Sequence, residues 1–231
     1  MTKKVIFTNI IDNFELEMPL PSSKSLPQWY KELKSYMNGK KVPDGKGETQ
    51  GTIKKCIPVF DVITAGYLIV THVDIFVSKK EDNSTYYEWA LSPALDFHPI
   101  EQAPTHPNTQ NAPYPKFINP WAIQTPKGYS TLFIKPTHRD TPISIFPGLV
   151  DTDNYIASVN LPFVLTDPSF QGLIPKGTAI AQIIFIKREN WISEQNNSDA
   201  RQKEINMLRN KLRTVFFDSY KTQWWQKKSY K

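Results

Sequence analysis

Apolar positions along the chain follow two different periods, and the change of period divides it. Between residues 26 and 38, Leu26, Trp29, Tyr30, Leu33, Tyr36 and Met37 recur at spacings of three and four, the signature of one face of a helix. Ser25-Leu26-Pro27-Gln28 has the form of a capping box, and Gly39 stands where such a helix would stop. The pattern predicts an amphipathic helix over 26–38, followed by an exposed loop over 40–52 that holds four glycines or prolines.

From residue 68 the period shortens. Residues 68–77 are rich in Val and Ile, with Val73, Ile75 and Val77 on one face; 79–84 is a polar turn and 85–91 an aromatic-rich run, which together predict a β-hairpin. Eight prolines between 93 and 126 are too many for regular structure, so this stretch is read as a long loop or arm, functional in itself or laid across a partner. Short apolar runs at 130–134, 143–146, 157–164 and 179–186, separated by Pro, Gly or Asp, argue for an antiparallel sandwich or barrel. Beyond Asn190 the helical period returns with Ile205, Leu208, Leu212, Val215 and Phe216, predicting a helix over about 199–220 with one apolar and one basic face. The expected organisation is an N-terminal extension (1–52), a β domain (53–190) and a basic C-terminal helix and tail (191–231). No internal repeat is present.

Composition narrows this further. With 39% hydrophobic and 13% aromatic residues among 231, the chain can bury a substantial core, and disorder of the whole chain is excluded. Nineteen prolines limit long helices. The single cysteine, Cys56, allows no internal disulfide and no cysteine-cluster zinc site, and is read as a small buried hydrophobe. No apolar stretch reaches 18 residues, and the start turns polar at Asn9, too early for a secretory signal. The expectation is a soluble protein of a virion or the host cytoplasm, neither secreted nor transmembrane. The formal charge is +6, and residues 199–231 alone hold nine Lys or Arg against three acids. The basicity therefore belongs to the C-terminal appendage.

Three ordered phrases carry a family likeness: Thr125-Pro126-Lys127-Gly128-Tyr129-Ser130; Gly148-Leu149-Val150-Asp151-Thr152-Asp153-Asn154-Tyr155; and Pro175-Lys176-Gly177-Thr178-Ala179-Ile180-Ala181-Gln182-Ile183. In order and spacing they resemble the core of the dUTPase and dCTP deaminase superfamily, over roughly residues 120–188. The resemblance implies a mainly β, jelly-roll-like barrel of the dUTPase-like (β-clip) type at about 53–190. It also implies assembly as a homo-oligomer, with a trimer favoured. The phrases TIKKC, AGYLI, PWAIQTPKGYS, VDTDNY and IPKGTAIAQII are similar to a family of tailed phages and bacteria with no established activity, which suggests a phage-type origin. In the enzymes the element aligned with 148–155 binds nucleotide. The resemblance then gives Asp151 a water- or hydroxyl-orienting role and sets Tyr155 against the nucleoside.

The likeness breaks where triphosphate chemistry needs it. An extra residue, Asn154, separates Asp153 from Tyr155. The phosphate-binding Arg-Ser of the enzymes falls at Thr137-His138, with Arg139 near but shifted; their Asp-Arg pair is replaced by Thr178-Ala179, although Gln182 matches; and if Ala65-Gly66-Tyr67 corresponds to their A-G-Y-D phrase, the magnesium-anchoring aspartate is Leu68. Positioning and electrostatics supply nearly all the rate of such reactions, so no catalytic residue is assigned. A nucleotide-binding or nucleotide-hydrolysing protein with an altered pocket (Asp151, Asp153, Tyr155, Gln182, His138, Arg139), taking magnesium, is the alternative. Asp151 and Asp153 equally suit a turn capped by side-chain to backbone bonds.

No metal site is expected: His138-Arg139-Asp140 has the H-x-D form, but no histidine follows it, and His72, His98 and His106 are scattered. No cofactor is expected outside the alternative. In the tail, Trp224, Trp225, Lys227 and Lys228 interleave aromatics with cations. That composition suits docking on an acidic protein surface, a neighbouring subunit or another virion protein, and also suits nucleic acid. No membrane contact is expected. The favoured reading is a non-catalytic phage-type assembly or virion structural protein.

Overall fold

The computed structural model describes residues 3–12, 16–37, 39, 51–90, 93–102, 106, 113–214 and 219–231. The fold is mainly β, and every strand pair is antiparallel. The strands are β1 (Ile6–Asn9), β2 (Leu20–Pro21), β3 (Tyr67–Val70), β4 (Ile75–Lys79), β5 (Thr85–Trp89), β6 (Leu95–His98) and β7 (Tyr114–Phe117). They continue with β8 (Trp121–Gln124), β9 (Tyr129–Ile134), β10 (Ile143–Ile145), β11 (Gly148–Val150), β12 (Leu161–Leu165), β13 (Gly172–Ile174) and β14 (Ala179–Lys187). The helices are α1 (Gln28–Glu32), α2 (Ile57–Thr64), α3 (Asp199–Thr214) and α4 (Ser219–Gln223). Two compact units interleave along the sequence: unit 1 joins Met1–Ser25 to Ala65–Arg188, and unit 2 joins Leu26–Thr64 to Glu189–Lys231.

All the strands among the described residues lie in unit 1. A five-stranded sheet has the order β11-β9-β14-β3-β2 and a four-stranded sheet the order β10-β12-β7-β6; β13-β4-β5 and β1-β8 complete the set. Phe117, Phe133, Phe163, Ile145, Ile180 and Ile183 are among its fully buried side chains. In β14 consecutive residues Ile180, Ala181, Gln182 and Ile183 are all buried, so this central strand is covered on both faces. The turn entering it uses Gly177 at φ +85°, a backbone that glycine adopts without steric cost. Gly66 fits more tightly: at φ +64°, a Cβ there would lie 1.7 Å from the Ile183 carbonyl oxygen.

The predicted hairpin is present as β4 and β5, with Ile75 opposite Trp89 and Lys79 opposite Thr85. The first half of that apolar run is a separate strand, β3, paired with β14 in the five-stranded sheet. The proline-rich stretch departs from expectation. Its described residues include β6, β7 and β8, while 103–105 and 107–112 lie outside the described residues. Regular pairing survives because β12 meets β7 only at Lys116 and Phe117, so Pro115 lacks a donor where that ladder has ended.

In unit 2 the helix expected over 26–38 stops at Glu32, with Leu33 leaving at ψ +128°. The Thr52 hydroxyl donates to the Lys34 carbonyl (2.6 Å), the Thr52 N–H to the Ser35 carbonyl (3.0 Å), and Tyr36 bridges Gly51. These contacts claim carbonyls that further helical turns would need. The N-cap is Pro27, with no side-chain cap bond, so the capping box does not form. Cys56 is exposed, against the expected buried position. The C-terminal helix begins at Asp199 as expected, and Val215 and Phe216 lie outside the described residues, as does most of the 40–52 loop.

Candidate functional site

The residues around Asp151 and Asp153 are positioned by the β9–β14 ladder. Lys187 lies opposite Tyr129, and one step further the Arg188 N–H donates to the Gly128 carbonyl (2.8 Å). This register delivers the Arg188 guanidinium to the turn that follows β11. Arg188 donates through Nη1 to Asp153 Oδ1 (2.8 Å) and through Nη2 to Asp153 Oδ2 (2.5 Å), a bidentate charge-assisted pair. Asp153 Oδ2 also accepts the Gly128 N–H (2.7 Å).

The Asp153 side chain is only 3% exposed. The Arg188 hydrogen bonds, with the Gly128 N–H second, hold its carboxyl at about 2 against an ordinary 3.8, because each favours the ionised form. Asp151 is less enclosed, at 58% exposure of its side chain; it accepts the Ser130 hydroxyl (2.6 Å) and lies 3.2 Å from Arg188 Nη1.

Between the two acids, Thr152 turns inward and is fully buried. Its hydroxyl lies 2.9 Å from that of Thr125 and 2.7 Å from that of Thr131. The chain from Asp151 then makes one helical turn, with the Asn154 and Tyr155 N–H groups both donating to the Asp151 carbonyl (3.0 and 2.9 Å). Tyr155 leaves the turn 52% exposed.

Gln182 lies elsewhere on β14. Ser130, which holds Asp151, is opposite Ile186, four residues from Gln182, or about 13 Å along an extended strand. Gln182 is fully buried. Its carbonyl oxygen accepts both the Thr137 N–H (2.9 Å) and the Thr137 hydroxyl (2.8 Å), and its amide donates to the Ala65 carbonyl (2.7 Å). Leu68, on β3, is the register partner of Gln182 and is also buried.

His138 is exposed and takes φ +54° at the tip of the turn after β9. Arg139 points back to the N-terminal segment, donating through Nη2 to the Ser22 carbonyl (3.4 Å). Burial pushes its guanidinium below the usual range, since a low-dielectric surrounding disfavours charge. The structure therefore brings Asp151 and Asp153 together, and leaves Gln182 in a separate tie with Thr137.

Magnesium does not fit this donor set. Both oxygens of Asp153 are engaged by Arg188 and Gly128, Leu68 offers no oxygen, and a divalent cation beside Asp151 would face the Arg188 guanidinium. No group of three His, Cys, Asp or Glu side chains able to hold a metal occurs among the described residues. His98 stacks on Tyr114 at 5.0 Å and His106 on Phe146 at 4.6 Å. His72 is buried against Phe117, which lowers its pKa.

The tail is the other candidate. Within unit 2 the Trp225 indole N–H lies 2.9 Å from both Asp61 oxygens, and the Lys228 ammonium donates to Asp61 Oδ2 (2.6 Å). Asp61 raises the Lys228 pKa, chiefly through that hydrogen bond. Trp224 remains 40% exposed, under the Lys211 ammonium at 5.9 Å from its ring centre, and Lys227 is exposed.

Sequence reasoning missed Arg188, Ser130, Thr137 and Asp61, the residues that engage the candidates. The one signal available was positional: an antiparallel pairing of 129–134 with 179–187 sets Arg188 beside the Lys127-Gly128 corner.

No protein-family model matches the chain, and no curated protein does. Among solved structures the chain is similar to a dUTPase of Staphylococcus bacteriophage 80alpha with dUpNHpp, at 12% identity and a TM-score of 0.39, covering 85% of this chain and 90% of that one. It is also similar to a variant dUTPase from phage phi11 of S. aureus, at 13% identity and a TM-score of 0.36, covering 85% and 98%. For the EIAV dUTPase the identity is 13% and the TM-score 0.28, covering 53% and 92%. These are likenesses of fold. No helix among the described residues is long and apolar enough to cross a membrane.

Proposed function

We propose that the chain is a non-catalytic, phage-type assembly or virion structural protein built on a dUTPase-like fold, working as a homo-oligomer with a trimer favoured. The observation that carries this reading is that the polar groups at the motif positions satisfy one another. Asp153 is taken by Arg188 and Gly128, and Gln182 by Thr137 and Ala65. A triphosphate needs free cations aimed at its oxygens, and Arg188 is already committed to two carboxylates. Surface for subunit packing is available in unit 1: Phe76 and Leu173 are cross-strand partners and are 49% and 52% exposed.

Light scattering coupled to size exclusion tests this reading. The expected mass is about three times 26.6 kDa, and a monomer at micromolar concentration overturns it. One observation favours the nucleotide reading: Asp151 and Tyr155 are both more than half exposed on one turn. Calorimetry with each deoxynucleoside triphosphate and magnesium separates the two. Heat that is lost in Asp151→Ala promotes nucleotide binding, and no heat with any of them removes it.

A further inference from the structure

The two units differ sharply in charge. The segments of unit 1 hold twelve Lys and Arg against thirteen acids, a formal −1, whereas those of unit 2 hold sixteen against nine, a formal +7. Unit 2 also displays Trp29, Trp191, Tyr220 and Trp224 at 38%, 85%, 42% and 40% exposure. On α3, Lys203 and Arg209 are exposed and make no ion pair among the described residues, whereas Arg201 is paired with Glu204.

We propose that unit 2 binds single-stranded nucleic acid through the cations of α3 and its exposed tryptophans. Cations neutralise phosphates and release counterions, and aromatic faces stack on unpaired bases whatever their sequence. An anionic bilayer is a poorer match, because it calls for a broad exposed apolar face to insert. Among the described residues of α3 the exposed large apolar side chains are Met207 and Leu208, at 67% and 39%, which stand about 100° apart around the helix axis. Duplex is a poorer match too, since its base faces are already stacked.

The Asp61 clip divides the tail by role. Trp225 and Lys228 fix the tail to α2, which leaves Trp224, with Lys211 above it, and Lys227 to meet the ligand. This inference does not rest on the assembly reading.

Fluorescence anisotropy of the full chain with a labelled oligo-dT of about twenty nucleotides tests it. With about four phosphates neutralised on a single strand, raising salt from 50 to 200 mM weakens binding about 50-fold. Trp224→Ala weakens it about 10-fold, and the double variant Lys203→Glu, Arg209→Glu by at least as much. Circular dichroism establishes that each variant is folded, and Trp224→Ala alone is read if the double variant is not. Absence of binding at 50 mM salt overturns the proposal. So does affinity indifferent to salt, equal affinity for a duplex of the same length, or binding to phosphatidylserine vesicles without binding to the oligonucleotide. Light scattering in the same buffer keeps the two readings apart: a monomer that binds oligo-dT removes assembly and leaves this inference standing.

Discussion

Of the buried hydrophobic side chains among the described residues, Tyr30 and Ile63 belong to unit 2; Phe117, Phe133, Phe163 and the remainder belong to unit 1. Unit 1 combines that burial with the β14-centred ladders and with polar ties closed to solvent, such as Gln182 between Ala65 and Thr137. The described residues of unit 2 are tied by exposed or part-buried polar contacts: Thr52 on Lys34, Tyr30 on the Lys54 carbonyl, Trp225 and Lys228 on Asp61. Burial of a large apolar side chain contributes about 1.5–3 kcal/mol, whereas exposed polar pairs contribute about 1 kcal/mol or less. The motif positions therefore sit in the unit that holds most of the buried apolar side chains among the described residues, and the excess positive charge sits in the other.

Gly66 gives the largest expected effect. Gly66→Ala places a Cβ against the Ile183 carbonyl at a backbone angle that L-residues avoid, and should cost more than about 4 kcal/mol. Gly128 has a similar angle, φ +82°, but its Cβ would meet nothing within 4 Å, so Gly128→Ala should cost about 1 kcal/mol. Urea unfolding of both variants separates the clash from the angle. Equal losses would show that close approach at Gly66 does not anchor unit 1.

Phe133→Ala comes next. Phe133 is 1% exposed, on the strand between β11 and β14, and its loss should cost about 3–5 kcal/mol. A cost under 1 kcal/mol, by the same measurement, would break the contrast between a packed unit and a clipped one.

The Arg188–Asp153 pair makes the comparison pH-dependent. The Asp153 carboxyl is depressed from 3.8 to about 2, so the folded state favours the ionised form. Its contribution to stability is fully present above pH 4 and is lost as pH falls through 2. The urea midpoint of the wild type should drop across that window, and Asp153→Asn should flatten this part of the profile. An unchanged profile in the variant would mean that another carboxylate governs the acid limb.

How much of this was legible beforehand depended on how local the deciding interactions were. The runs that became β9, β10 and β14 announced themselves, because β-branched residues between Pro, Gly and Asp leave few alternatives. The turn at Asp151 was open as a capped turn, but its main partner, Arg188, lies 35 residues from Asp153. Only the strand register brings them together. The first helix was misjudged for the same kind of reason: its period persists through Met37, yet Thr52 takes the carbonyls of Lys34 and Ser35. The proline-rich stretch failed by composition, since Pro115 is tolerated only because a ladder ends beside it. Cys56, expected inside, is exposed in unit 2, where few of the described side chains are buried.

The smallest effect is expected at the clip. Trp225→Phe keeps an aromatic ring but removes the indole donor that lies 2.9 Å from both Asp61 oxygens, for a cost of about 1 kcal/mol. The loss should be confined to unit 2: tail amides 219–231 should exchange faster, while the amides of β14 keep their protection, because no ladder bond of the five-stranded sheet involves the tail. Hydrogen exchange read by mass spectrometry distinguishes this from a global change. Uniform loss of protection across both units would mean that unit 2 supports unit 1, and would undo the division between them.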